Sequence, residues 1–313
     1  MLHFLVPKFL PIILLLLIGK AIKRFNFISE PSIKELKKFV VNISLPALLF
    51  FSFLNTNFQY KYILIILVVF MLNIIMLFIG RLLQAVLKID SKYFSILFTG
   101  FEMGMLGFSL YGSVYGPENL GYIGVLDLGQ EIYVWFFLTS ILLSYQNDSV
   151  SIKSSLVSFI KSPVIIAIYS GILLNVLGLS GFLTENVILS GFVSTLSMLS
   201  QVTIPFILII IGYQLNVRFS KLRLPLITIA LRLSILMIFG VLINAFLFKH
   251  MLRLDDKFSI ALFTLLILPP PFIIPLYMRS DNVESEEYVG NTLSLGTAFT
   301  IVGFFILILA FSL

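Results

Sequence analysis

The chain has 313 residues, 59% of them hydrophobic and 12% charged, with a mean hydropathy of +1.08. A soluble domain of that length needs far more surface charge, so the composition excludes one and indicates a polytopic membrane protein. Zero cysteines remove disulfides, thiolate catalysis and cysteine metal sites, while the net charge of +6 sits in short loops between apolar runs, not in a nucleic-acid patch.

A hydrocarbon core about 30 Å thick takes roughly 20 apolar residues per helix. The sequence therefore predicts ten helical spans, at 7–23, 36–54, 61–87, 93–115, 119–145, 163–179, 187–215, 225–248, 258–278 and 288–312. The first lacks a basic leader and a cleavage site and ends in Lys20, Lys23 and Arg24, so it reads as a span, not a signal peptide. Pro46 and Pro205 fall within the second and seventh and read as kinks. The fourth carries Gly100, Glu102, Gly104 and Gly107; the ninth carries Pro269, Pro270, Pro271 and Pro275. Interruptions in corresponding spans of two half-proteins point to a transporter's midplane binding site.

Basic residues crowd one set of loops, around Lys20–Lys38, Arg81–Lys92, Lys153–Lys161, Arg218–Arg223 and Arg279. The opposite side holds only Lys8, Lys61, Lys249, Arg253 and Lys257. Positive loops stay cytoplasmic, which predicts a multi-pass plasma-membrane protein with both termini outside. Residues 146–162 read as a cytoplasmic linker between a first repeat, 1–145, and a second, 163–313. An odd number of spans per half inverts the second. Asn42-Ile-Ser-Leu-Pro46 echoes Val202-Thr-Ile-Pro205, and Leu126-Asp-Leu-Gly129 echoes Leu293-Ser-Leu-Gly296.

The ten-span layout, Asn42-Ile-Ser-Leu-Pro46-Ala47, Gly107, Asp127-Leu-Gly129 and Pro205 through Gly212 resemble the auxin efflux carrier family. The likeness is to its compact bacterial type, often assigned to malate or malonate, within a wider superfamily that includes bile-acid symporters. It implies an all-helical 5+5 inverted repeat in which spans four and nine cross as broken helices. It also implies a scaffold and a transport domain, elevator-type motion and a homodimer. Where the family carries asparagine in span four this chain has Glu102, and where Gly-Leu-Pro follows it has Gly107-Phe108-Ser109. The crossover proline is thus missing here, and Gly104 and Gly107 are left to let the helix unwind.

Glu102 lies well inside span four, where a carboxylate costs at least about 2.5 kcal/mol. It reads either as a proton or sodium coupling site or as a structural carboxyl bonded to open backbone groups. Asp127 and Glu131, four apart, share one helix face and favour a shared proton, a bound cation or a nearby base. A fold-locking hydrogen bond is an equal reading for Glu131. Pro269, Pro270 and Pro271 remove three donors, so freed carbonyls there could bind a cation, or the break serves as a hinge. Asn291 and Asn42, with Thr292 and Thr297, could line a cavity or bridge helices. Arg232 is the one basic residue well inside a span, placed either to snorkel to the interface or to meet an anion. Trp135 reads as lipid-facing or core filler. His3 and His250 lie near span ends and read as interfacial.

These features predict a secondary transporter of a small organic anion, coupled to protons or less readily to sodium, with no cofactor and no metal. A cation/proton antiporter, a carrier of a neutral or cationic metabolite, and a non-transporting receptor are the alternatives. An intramembrane enzyme is disfavoured, since no histidine and only one plausible aspartate lie within the spans. No phosphate-binding G-x-x-x-x-G-K-[ST] loop supports ATP-driven transport.

Overall fold

The computed structural model describes residues 2–56, 59–145, 157, 159–179, 183, 186–215, 221–278 and 283–311. Lys153, Arg218, Arg279 and most of the predicted linker lie outside them. Helix α1 is Leu2–Arg24; α2, Glu30–Phe39, passes through a wide turn at Val40–Ser44 into α3, Leu45–Leu54; α4 is Tyr62–Val86. After α5 (Phe108–Tyr115) come α6 (Leu120–Tyr133), α7 (Thr139–Ser144), α8 (Pro163–Val176), α9 (Val187–Gln201) and α10 (Thr203–Gln214). The chain ends with α11 (Arg223–Leu242), α12 (Asp256–Ile267) and α13 (Val283–Phe311).

The described residues form helices and no strands. Among the described residues, six helical stretches are long and apolar enough to cross a membrane: Glu30–Leu54, Tyr62–Val86, Pro117–Ser144, Ile188–Gln214, Arg223–Met251 and Val283–Phe311. The chain is an all-helical polytopic membrane protein. Helix α4 shows why water is the wrong solvent. Its inner face buries Ile65, Val69, Leu72 and Met76, yet its outer face presents Leu67, Met71, Phe78 and Leu82. A helix apolar all round needs protein on one side and lipid on the other. The second span begins earlier than its apolar run, because the Ser29 side chain caps Ser32 N at 3.3 Å and Pro31 occupies the first turn.

The chain divides into two compact units, and each draws on both halves of the sequence. The first comprises 1–60, 104–124 and 160–215. In it α1 packs on α10 through glycines: a Cβ on Gly19 would collide with the Ile209 carbonyl, and one on Gly212 with the Leu16 carbonyl. Helix α3 meets α8, where a Cβ on Gly171 would lie 2.6 Å from Phe50 O, and Asn175 Nδ2 donates to Leu54 O at 2.5 Å. Small residues let helices close in lipid, where packing replaces the hydrophobic effect as the glue. Gly212→Leu is expected to force α1 and α10 apart at a cost of about 1–3 kcal/mol. Size-exclusion chromatography in detergent reads this as loss of the monodisperse peak. Pro46 is the second residue of α3, just after the wide turn, and Pro205 the third residue of α10. Both sit in the first turn of a helical segment, after the wide turn or the break at Val202, where a missing N–H costs least.

The second unit comprises 61–103, 125–159 and 216–313 and contains α4, α7, α11, α12, α13 and most of α6. It carries both interruptions predicted from sequence.

Candidate functional site

The first interruption follows a single 3₁₀ turn at Ile96–Phe98. Thr99 is extended (φ −113°, ψ 163°), Gly100 is left-handed (φ +67°), and helical turns resume at Met103. The unwinding thus falls at 99–102, before Gly104 and Gly107, which lie within the wide turn Met103–Gly107 and in the first unit. Gly100 is not helical, so Gly100-x-x-x-Gly104 is not a helix-packing face. The second interruption begins where α12 ends: Leu268 is extended (φ −64°, ψ 148°), the three prolines follow, and a 3₁₀ turn covers Ile274–Tyr277.

The two breaks lie against each other. Glu102 N donates to Pro269 O at 2.9 Å, and the Glu102 carboxylate accepts Phe272 N at 2.6 Å. Close approach requires Gly100, since a Cβ there would stand 2.5 Å from Pro271 Cγ. Open backbone in hydrocarbon must find partners within the protein, and here buried side chains supply them. Asn73 Oδ1 accepts Gly100 N at 2.7 Å. The Gln130 amide accepts Phe101 N at 2.6 Å and donates back to Phe101 O, substituting for a neighbouring peptide group. Thr300 Oγ1 donates to Ile267 O at 2.5 Å.

Arg232 ties the two breaks together. Its Nη1 donates to Leu268 O and its Nη2 to Gly100 O, both at 2.7 Å, and the guanidinium lies 5.1 Å from the Phe101 ring centroid. At 2% exposure it does not snorkel; the sequence reading that sent it to the interface is overturned. The reason is that two open carbonyls, Leu268 O and Gly100 O, and the Phe101 ring lie within its reach. Paired interruptions, cross-linked by buried polar side chains within an all-helical membrane unit, are the architecture of a solute carrier.

The family model for membrane transport protein matches residues 4–302 of the chain. The chain belongs to that family. It is the family of the auxin efflux carriers, and the match spans nearly the whole sequence. No curated protein matches the chain. The protein is therefore a membrane transporter, of a transporter family.

Three of the transporter's acidic residues, Glu102, Asp127 and Glu131, lie near one another in the second unit. Asp127 is 1% exposed, and its Oδ1 has no hydrogen-bond partner. Glu131, on the same face of α6, accepts Trp135 Nε1 at 2.8 Å, so Trp135 is a specific donor and not filler. Glu102 and Glu131 both lie within electrostatic range of Asp127. Among the described residues, no group of three such side chains is close enough to hold a metal ion. Asn291 is buried in α13. Thr292 and Thr297 each donate to a carbonyl of their own helix at 2.8 Å, Tyr288 O and Leu293 O. Asn42 belongs to the first unit and donates to Lys38 O at 2.8 Å on an exposed surface. His250 is exposed.

Sequence reading missed Asn73, Gln130 and the true position of Arg232. A usable signal existed for all three, because a polar side chain deep in an apolar span is expensive unless it faces protein or a cavity.

Proposed function

We propose that the transporter is a secondary active carrier of a small organic anion, coupled to protons and working by elevator-type alternating access in the plasma membrane. The observation that carries the reading is the pair of hydrogen-bonded interruptions with a buried carboxyl, Asp127, whose Oδ1 is unpaired beside them. An unpaired carboxyl oxygen in so dry a place is suited to gain and lose a proton as solute comes and goes. The elevator reading is supported by two compact units that each take segments from both halves of the chain, as a carrier built of repeats requires. Glu102, Asp127, Glu131, Asn291 and Pro269–Pro271, all of the second unit, remain the proposed solute and ion contacts. The basic loops favour both termini outside, and the family resemblance favours a homodimer.

The same carboxyls favour a second reading, a cation/proton exchanger, in which Asp127 binds the cation. Proteoliposome uptake separates the two. Labelled malate, malonate and an aromatic acetic acid are tested with and without an inward proton gradient, and labelled sodium is tested alongside. Gradient-driven uptake of one of the acids is expected. Asp127→Asn is expected to reduce it by about tenfold or more while solute counterflow persists, the size typical of losing a proton-transfer group. Glu102→Gln keeps an oxygen to accept Phe272 N and so tests its charge apart from its geometry. Sodium flux with no acid moving would replace the anion reading with the exchanger.

A further inference from the structure

We propose that Arg232 is the anion-binding group of the transporter, receiving a solute carboxylate that arrives along a groove between α11 and α13. This rests on the reading of the protein as an organic-anion carrier and names the group that would hold the anion. Arg232 is buried and carries a full positive charge, yet its partners are two neutral carbonyls and a ring face. Among the described residues, no carboxylate forms an ion pair with it. Its Nε is buried and has no partner. A dry, uncompensated guanidinium is costly, and an anion is the ligand that offsets the cost. An unpaired Nε beside a guanidinium N–H is the fork that a planar carboxylate fits.

The groove is built by residues spaced at four. Leu224, Thr228 and Arg232 follow one another up α11; Glu284, Tyr288, Thr292 and Gly296 do so along α13. At one end is an open cavity of about 810 Å³, where Lys92, Lys221 and Arg223 mix with Asp90, Glu284 and Glu287. At the other is a cavity of about 10 Å³, lined by Thr228, Arg232, Thr292, Pro269, Pro270 and Gly296. That space holds about one water. Leu224 and Tyr288 line the first cavity, Thr228 and Thr292 the second. The Tyr288 hydroxyl and Thr228 Oγ1 hydrogen-bond at 2.8 Å at the junction. Thr228 already donates to Leu224 O at 2.9 Å, so Tyr288 is the donor. The Tyr288–Thr228 bond thus links a residue that lines the open cavity to one that lines the cavity of the buried charge, and on this proposal Tyr288 turns aside to join them.

The absence of native cysteine makes this testable by thiol labelling of purified full-length protein, with no background. Thr292→Cys is treated with 2-sulfonatoethyl and 2-trimethylammonioethyl methanethiosulfonate, with Tyr288 intact and as Tyr288→Ala. The expected result is faster labelling in Tyr288→Ala and a preference of about tenfold or more for the anionic reagent, the scale on which a charged cleft concentrates counter-ions. Malonate is expected to slow the reaction, and chloride at equal ionic strength to leave it unchanged. Arg232→Lys is expected to keep the preference and Arg232→Gln to erase it. Should Arg232→Gln not fold, the two-reagent comparison with Arg232 intact decides alone. Equal rates for the two reagents, a preference that survives Arg232→Gln, or no labelling even with Tyr288→Ala overturns the proposal. Charge-selective labelling without carboxylate transport would remove the proposed cargo and keep the site; transport without selectivity would keep the cargo and remove the site.

Discussion

Arg232→Met is expected to abolish solute flux and to lower the stability of the purified transporter by about 3–5 kcal/mol. Methionine fills much of the same volume, so the loss comes from the hydrogen bonds. Leu268 O and Gly100 O each lose a buried, charge-assisted donor at 2.7 Å. With the donors gone, the two breaks keep the hydrogen bonds of Glu102 and the Gly100–Pro271 approach but lose the clamp across them. Arg232→Lys retains the charge but offers a compact ammonium in place of a planar fork, so it holds one carbonyl well and not both. Its melting point is expected between those of Arg232→Met and the unmodified protein. Thermal melting followed by the fluorescence of Trp135, the one tryptophan, checks the order. A methionine variant that melts like the parent would remove the clamp from this account.

Gly100→Ala is expected to be nearly as damaging, at about 3 kcal/mol or more. Holding a non-glycine residue at φ +67° costs about 1–2 kcal/mol, and the new methyl would press into the Pro271 ring at 2.5 Å. Pro271 cannot turn away, because its ring is fixed to the backbone of the second break. Gly104→Ala is the matched control: the nearest atom a Cβ would meet there is Leu45 Cδ2 at 4.0 Å, so that variant is expected to melt within about 0.5 kcal/mol of the parent. If Gly104→Ala proved the more harmful, the break would be wrongly placed.

That contrast measures what was legible in advance. The sequence singled out the correct span and the correct chemistry, with glycines and a carboxylate facing a proline run, but placed the unwinding at Gly104 and Gly107. Which glycine turns left-handed depends on where another segment touches it, and Pro271 lies 171 positions further on. Glu102 was legible as costly at membrane depth; that its carboxylate accepts Phe272 N was one of two readings, and local sequence gave no means to choose. Trp135 looked like filler because its donor is inconspicuous until Glu131 is seen one turn before it on the same helix. Asn73 and Gln130 looked unremarkable for the same reason: amide side chains announce that they need partners without saying which.

The sequence by itself determined that this chain is helical, spans a membrane several times and is interrupted at two places. Hydropathy, helix length and proline or glycine content are local properties, and the bilayer reads them span by span. Only the tertiary structure decided that the interruptions touch and that Arg232 clamps them. It alone placed Asp127 with an unpaired oxygen beside them. Those outcomes depend on pairings such as Arg232 with Gly100, 132 residues apart, and in hydrocarbon a buried charge goes to whichever unmet backbone group the fold brings within reach.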